Sequence, residues 1–334
     1  MSLSIVIVNY KSAGLILDCL ESIYAFDQKK IHEVIIVDNG SGDDSEQVIC
    51  SRFPQVRWVQ LDYNAGFARA NNEGIRRSSG ELVLLLNPDT INLDNAISIC
   101  AGRLNSSEFV AAGVQLLNRD RSLQISGSYF MKGGLNHLMS VPETGRLLRW
   151  IGLRLKVKNT SLKNADTVTQ VDWINGAFLM VKRSAIEGAG LLDEDFFLYS
   201  EEIEWCYRLG KVGKMCIYGD LHVVHLIGVT ADQVFDSGNV GYQQLTDRKG
   251  FQLMLSGLVR IRKQFGIFWL LLHLAFFWLS IPLIFLVLLF RMLLQPDSVS
   301  VYWEIAVGFA RNVFKSTAYI GRICRNKPYF YKVL

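Results

Sequence analysis

Apolar and polar positions alternate between two periods along the first 120 residues. Short apolar runs at 3–8, 34–37, 56–61 and 82–86 end in polar or small clusters. These are Asn9-Tyr10-Lys11, Asp38-Asn39-Gly40-Ser41-Gly42-Asp43, Asp62-Tyr63-Asn64-Ala65-Gly66 and Asn87-Pro88-Asp89. Runs this short, bounded by turn residues, predict strands covered on both faces. Between them, Leu15, Ile16, Cys19, Leu20 and Ile23 recur at helical spacing after Ser12, residues 46–53 predict a second helix, and 64–72 open a third. Strands alternating with helices at this spacing predict βαβ units, an α/β class and a mostly parallel sheet flanked by helices. Pro88 cannot donate to a ladder, so the fourth strand stops before it. The polar clusters then share the carboxyl edge of the sheet, where open α/β sheets bind ligands.

The pattern changes further along. Residues 110–117 and 178–181 predict strands, whereas 118–170 has no clear period and is read as part of the acceptor side. Within it, 145–163 is basic with Leu147, Leu148, Trp150, Ile151 and Leu153 interleaved, which suits a membrane or a lipid-linked acceptor. A helix over 200–211 is expected, capped by Ser200 and with acids in its first turn. Helical spacing puts Glu201, Glu204, Arg208 and Lys211 on a face read as solvated. Glu202 aligns with Trp205, Cys206 and Leu209 on the apolar face. A carboxylate there is costly without a task or a partner, and partial burial moves it toward a useful range for a general base. Strands are expected at 214–218 and 221–226, the latter carrying His222 and His225, and then a flexible loop over 228–247.

The last 84 residues differ in kind. Residues 251–264 predict an amphipathic helix, 267–290 form a 24-residue run without charge, and 301–325 predict a basic amphipathic helix. The uncharged run is long enough to cross a bilayer once. Pro282 divides it, both flanks are basic, and the positive-inside rule then favours a re-entrant or in-plane hairpin over a single span. Ten of the 35 Lys and Arg but only two of the 31 Asp and Glu lie beyond residue 250. A mildly acidic body at 1–250 with a basic, apolar tail at 251–334 predicts a domain held at an anionic membrane face. It excludes a nucleic-acid partner, since the basic residues do not cluster with aromatics on the body. Six scattered cysteines with no CxxC pair fit a reducing compartment. No charged n-region precedes the first strand, so no signal peptide is expected.

The strand-end clusters point to nucleotide chemistry. Gly66 at a loop-to-helix junction lets backbone approach a phosphate at a helix N-terminus. Neither GxGxxG nor GxxxxGK[ST] is present, so dinucleotide and P-loop sites lose their main support. Trp173 offers a flat apolar face for a sugar ring.

Residues VIVNY, VDNGSGD, NAGFARANN and LLNPDT, in that order and spacing, resemble family 2 glycosyltransferases of the GT-A (Rossmann-like) fold, especially the rhamnosyltransferase-like bacterial members. The resemblance covers residues 3 to about 265. It implies that Asp38 binds the nucleobase, and that Asn9 and Tyr10 line the nucleoside, with Asn64, Gly66 and Asn87 on the donor side. The family's metal-binding DxD reads Asn87-Pro88-Asp89 here, so Asp89 becomes the stronger ligand of Mg²⁺ or Mn²⁺, with His225 as the last one. An amide oxygen at Asn87 also ligates a hard cation, without charge. Trp173-Ile174-Asn175-Gly176-Ala177 matches an element beside the reacting sugar and acceptor. Glu202 matches the base that deprotonates the acceptor hydroxyl and is favoured over Glu201, which is left on the acceptor side. Arg248 or Lys249 would meet the donor diphosphate.

The resemblance implies inverting sugar transfer from a nucleotide-sugar donor, dTDP-rhamnose first and UDP-hexose second. The acceptor would be a polyprenyl-diphosphate-linked glycan at the cytoplasmic face of the cell membrane, with membrane lipid around the tail. Two competitors are a nucleotidyltransferase, for which NYKSAG is the wrong loop, and a catalytically silent membrane-attached binding partner.

Overall fold

The computed structural model describes residues 1–26, 31–129, 138, 141–154, 161–226, 245–294, 299–327 and 329–333. Gly133, Gly134 and nearly all of the loop expected over 228–247 lie outside the described residues. The chain divides into two compact units. Residues 1–130, 160–197 and 201–230 form the first, and 131–159, 198–200 and 231–334 the second.

The first unit is built on β1 (Leu3–Asn9), which lies parallel between β2 (Ile31–Asp38) and β4 (Leu82–Leu86). Strand β3 (Arg57–Gln60) adds on in parallel beyond β2. Every residue of β1 and β4 is buried. The continuous apolar runs follow from cover on both faces. Ile5 and Ile7 pack with α1 (Ala13–Tyr24) and α2 (Ser45–Arg52), while Val6 and Val8 pack with α3 (Phe67–Arg77). Beyond β4 the sheet turns antiparallel through β11 (Phe178–Lys182) to β6 (Ala111–Leu117). Strand β12 (Met215–His225) runs parallel to β6 and holds β5 (Thr90–Asn92) and β9 (Thr169–Val171) antiparallel. Helix α4 (Ala96–Asn105) packs on the α1 face. A small sheet joins β10 (Trp173–Ile174), β7 (Gly127–Ser128) and β8 (Ser161–Leu162). Helices α6 (Arg183–Ala189) and α7 (Glu201–Val212) complete the unit.

The α/β class and the parallel half-sheet are as the pattern predicts. The two strands expected at 214–218 and 221–226 are one, β12, because the chain absorbs the break as a register shift between Tyr218 and His222.

The second unit is helical: α5 (Thr144–Arg154), α8 (Arg248–Phe265), α9 (Ile267–Leu294) and α10 (Val299–Cys324). The division expected at Pro282 does not occur. Helix α9 runs through it over 28 residues, because its packing along one side supports the turn around the proline. Helices α9 and α10 are antiparallel, with Phe277 against Phe309, Trp278 against Phe314 and Phe285 against Trp303. Asp247 caps α8 by accepting from the Gly250 amide at 2.7 Å.

Candidate active site

The carboxyl ends of β1, β2 and β3 meet at Asp38, which is 2% exposed. Its two oxygens accept four hydrogen bonds: Asn9 Nδ2 at 2.6 Å, Ser41 Oγ at 2.5 Å, Ser41 N at 2.9 Å and Gln60 Nε2 at 2.7 Å. Asn9 Oδ1 in turn accepts from the amide and hydroxyl of Ser12. Asn39 Oδ1 accepts from Ala65 N at 2.8 Å, and Asn64 Oδ1 accepts from Asn39 Nδ2 and Gly66 N. Three loops are thereby stitched into one edge, with Tyr10 half-buried beside it. Gly40 has φ +73°, and a Cβ there would lie 2.5 Å from Tyr63 C. Gly40→Ala should therefore destabilise the fold by at least about 1–3 kcal/mol, measured by denaturant unfolding.

Gly66 also accommodates a neighbouring backbone. Its φ is +86° and a Cβ would lie 2.5 Å from Phe197 O, while Phe67 N donates to that same carbonyl at 2.7 Å. The glycine lets the Phe197 backbone approach this closely.

At the end of β4, Asn87 N donates to Ala177 O at 3.0 Å. Asp89 is 5% exposed and stands beside His225, also 5% exposed, with 3.4 Å between Asp89 Oδ1 and His225 Nε2. They are neighbours because β5 and β12 pair His225 with Thr90. Behind the ring lies Gln124. Its Nε2 donates to the carbonyls of His225 (2.6 Å) and Leu117 (3.2 Å), which fixes Oε1 as an acceptor facing His225 Nδ1 at 3.2 Å. Gln124 thus backs the Nδ1 side of the ring and leaves Nε2 as the nitrogen on the Asp89 side, the placement of a ligating imidazole held from behind. Asn87 Nδ2 lies 3.4 Å from that same Nε2, and Asn87 Oδ1 is buried without a partner. One carboxylate, one imidazole nitrogen and one orphaned amide oxygen fit a hard or borderline divalent cation. Gln124, in the unpatterned stretch, was not among the expected site residues. A lone glutamine there carries no sequence signal.

The loop before β11 links this group to α7. A Cβ on Gly176 would lie 3.4 Å from Glu202 Cβ and Cγ, so Glu202 rests against that glycine. Trp173 is half-buried and its Nε1 lacks a partner.

On α7, Trp205, Cys206 and Leu209 are buried as expected, but the glutamates depart from the expected faces. Glu201 and Glu204 are 4% and 6% exposed, whereas Glu202 is half-exposed. Arg208 explains Glu204: it grips that carboxylate at 2.7–3.0 Å and donates to Ala189 O at 2.6 Å, so the supposed solvent face packs against α6. Ser200 is not a conventional cap, because Tyr199 and Ser200 have φ of 72° and 70°.

Burial, and after it the charge of Glu202, pushes the Glu201 carboxyl well above the usual range, and Glu201 Oε2 has no partner. A raised folded-state value means that the folded chain holds a proton the unfolded chain releases near pH ~4.3. Stability from this group is thus fully present below that pH and falls as pH rises through the folded value. Glu201→Gln should flatten that decline in a series of thermal melts from pH 4 to 9.

Arg248 is exposed at the start of α8 in the second unit.

Residues 4–159 match Glycosyl transferase family 2. The chain carries a family 2 glycosyl transferase domain. Strands β2 to β4, all of β1 but its first residue, and Asp38, Asn87 and Asp89 fall within the matched residues of that domain. Over 213 residues the chain is 34% identical to the low-salt glycan biosynthesis hexosyltransferase Agl10 of Haloferax volcanii, covering 62% of this chain and 61% of that protein. Over 205 residues it is 27% identical to an N-acetylglucosaminyl-diphospho-decaprenol L-rhamnosyltransferase of Mycobacterium tuberculosis, covering 55% and 63%. The chain thus spans about three fifths of these relatives' lengths. In fold it resembles the Pyrobaculum calidifontis mannosyltransferase PcManGT, solved with GDP-Man and Mn²⁺, at TM-score 0.51 and 14% identity over 94% of this chain and 86% of that one. This likeness supports the GT-A-like fold of the domain.

Proposed function

We propose that the protein is an inverting, metal-dependent glycosyltransferase that moves a sugar from a nucleotide donor to a hydroxyl of a lipid-linked glycan. One observation carries this reading. The described buried polar atoms of the first unit that lack a partner are Asn87 Oδ1, Trp173 Nε1 and Glu201 Oε2, all at expected site residues. Buried orphans are costly and are normally explained by a ligand or a catalytic task.

Asp89, His225 through Nε2 and Asn87 through Oδ1 would hold Mg²⁺ or Mn²⁺. When bound, the ion neutralises charge on the leaving diphosphate. Asn9, Tyr10, Asp38, Asn64 and Gly66 would form the nucleoside edge, with Asp38 ordering its loops through four hydrogen bonds. Arg248 would meet the diphosphate. Trp173 would face a sugar ring and donate from Nε1.

Glu202, half-exposed against Gly176, is the base. It takes the proton of the acceptor hydroxyl as that oxygen bonds to the anomeric carbon. The bond from that carbon to the diphosphate oxygen breaks on the opposite face, so the configuration inverts and the nucleoside diphosphate leaves. Burial and the charge of Glu202 raise the Glu201 carboxyl, which favours Glu202 as the member of the pair that takes the proton.

The donor is dTDP-rhamnose, supported by the rhamnosyl relative; the hexosyltransferase relative favours a UDP-hexose as the second candidate. The acceptor is a polyprenyl-diphosphate-linked glycan at the cytoplasmic face of the cell membrane, where the tail attaches. Nucleotide release from a donor panel with Mn²⁺ or EDTA, with and without a lipid-diphosphate glycan, tests this. Failure of every donor to bind or turn over with metal present would sink it.

A further inference from the structure

The outward face of α9 is continuous. Phe268, Leu271, Ala275, Leu279, Pro282, Leu286, Leu289 and Phe290 are exposed in a single line at helical spacing, while Leu270, His273, Phe277, Ser280 and Leu288 are buried on the opposite side. At about 1.5 Å per residue the 24-residue apolar stretch is ~36 Å long, enough to cross a bilayer, so length alone does not choose between crossing it and lying on it.

What surrounds the middle of α9 does choose. Ser280, near the midpoint, donates to Pro142 O at 2.8 Å and shares a 2.8 Å hydrogen bond with Thr144 Oγ1. Next to that contact stand Glu143 and the exposed Arg146, paired at 2.6 Å. On α10, the residues facing Phe277 and Trp278 are Phe309 and Phe314, and the exposed Arg311 and Lys315 lie at that same level. Arg311 donates to Thr246 O, and Asn312 donates to the carbonyls of Leu245 and Asp247, so irregular backbone reaches this level too. A helix standing across a bilayer would carry these charges and this non-helical backbone into the hydrocarbon centre, where both are strongly disfavoured.

We propose that α9 lies along the membrane surface, its outward stripe immersed in the acyl boundary of an anionic leaflet, and does not cross. This rests on the membrane reading of the tail. It gives the stripe an occupant along its whole length while Arg311, Lys315 and Arg146 remain at headgroup level. The charge matches: ten basic residues beyond 250 stand against two acids. Helix α5, in the same unit, adds exposed Leu147, Trp150 and Ile151, with the Arg154 guanidinium 3.9 Å from the Trp150 ring, a pairing suited to the interface.

The test is immersion depth. Leu271→Cys, Leu279→Cys and Phe290→Cys, each in a Cys50→Ser/Cys324→Ser chain, are spin-labelled and bound to phosphatidylglycerol–phosphatidylcholine vesicles. Power saturation with oxygen and a nickel chelate reads the depth of each label. The three should sit at one shallow depth, with binding weakened on pure phosphatidylcholine. A crossing helix would put residue 279 ~12 Å deeper than 271 along the axis, and that profile would overturn the proposal alone. Absence of vesicle binding would overturn it together with the membrane reading, while donor turnover in solution would still stand or fall independently.

Discussion

Replacing Glu202 by Gln should lower turnover by roughly 10²–10⁴-fold while donor affinity and melting temperature stay close to those of the unmodified chain. The amide keeps the packing against Gly176 and removes only the proton acceptor. The neighbouring substitution is the control. Burial pushes the Glu201 carboxyl well above the usual range, toward its uncharged form, so Glu201→Gln is the milder of the two changes. Its turnover should fall less than ~10-fold, well short of a general base's share. Steady-state kinetics of both variants, with donor binding by calorimetry, separate the roles. If Glu201→Gln lost activity and Glu202→Gln kept it, the base would be the buried carboxyl.

The second large effect is expected at the end of β4. Asp89→Ala should abolish metal-stimulated transfer, a loss on the order of a thousandfold if the ion contributes several kcal/mol to the leaving group. The fold should survive, because the Asp89 contact to Leu226 runs through its backbone carbonyl. Two further variants separate ligation from mere packing. Asn87→Asp adds a charge to the donor set and should tighten Mn²⁺ binding. Gln124→Leu replaces no ligand, yet it removes the Oε1 that faces His225 Nδ1 at 3.2 Å and backs the ring. It should weaken Mn²⁺ binding by about 10–100-fold. Titration calorimetry checks both, and unchanged affinity in all three variants would remove the metal from this site.

The contrast between what the sequence revealed and what it hid follows from the range of the forces involved. Strands β1, β2 and β4 were legible because burial on both faces writes itself as an unbroken apolar run. Asn9, Asp38 and Asp89 were legible as places because a strand must end in a turn. The placement of the α7 glutamates was not. Helical periodicity assumes one covered side, and α7 has cover on two: α6 takes Arg208 and Glu204, and Trp205 Nε1 reaches Gly190 O at 2.8 Å. A salt bridge that looks solvated in sequence is then buried by an element 19 residues away in the chain. Gln124 stayed hidden because its meaning lies entirely in a partner 101 residues distant. Pro282 misled because local helix breaking was overridden by packing along the length of α9.

The saturated carboxylate of Asp38 has a thermodynamic consequence. Four hydrogen bonds already tie the loops after β1, β2 and β3 together, so the conformational entropy of ordering them is lost on folding and not on ligand capture. A nucleotide arriving at this edge meets a preorganised surface and should bind with little loss of loop freedom. Asn9→Ala would return that cost to the binding step. Donor affinity would weaken through entropy, and the change would register as a larger unfavourable TΔS in calorimetry.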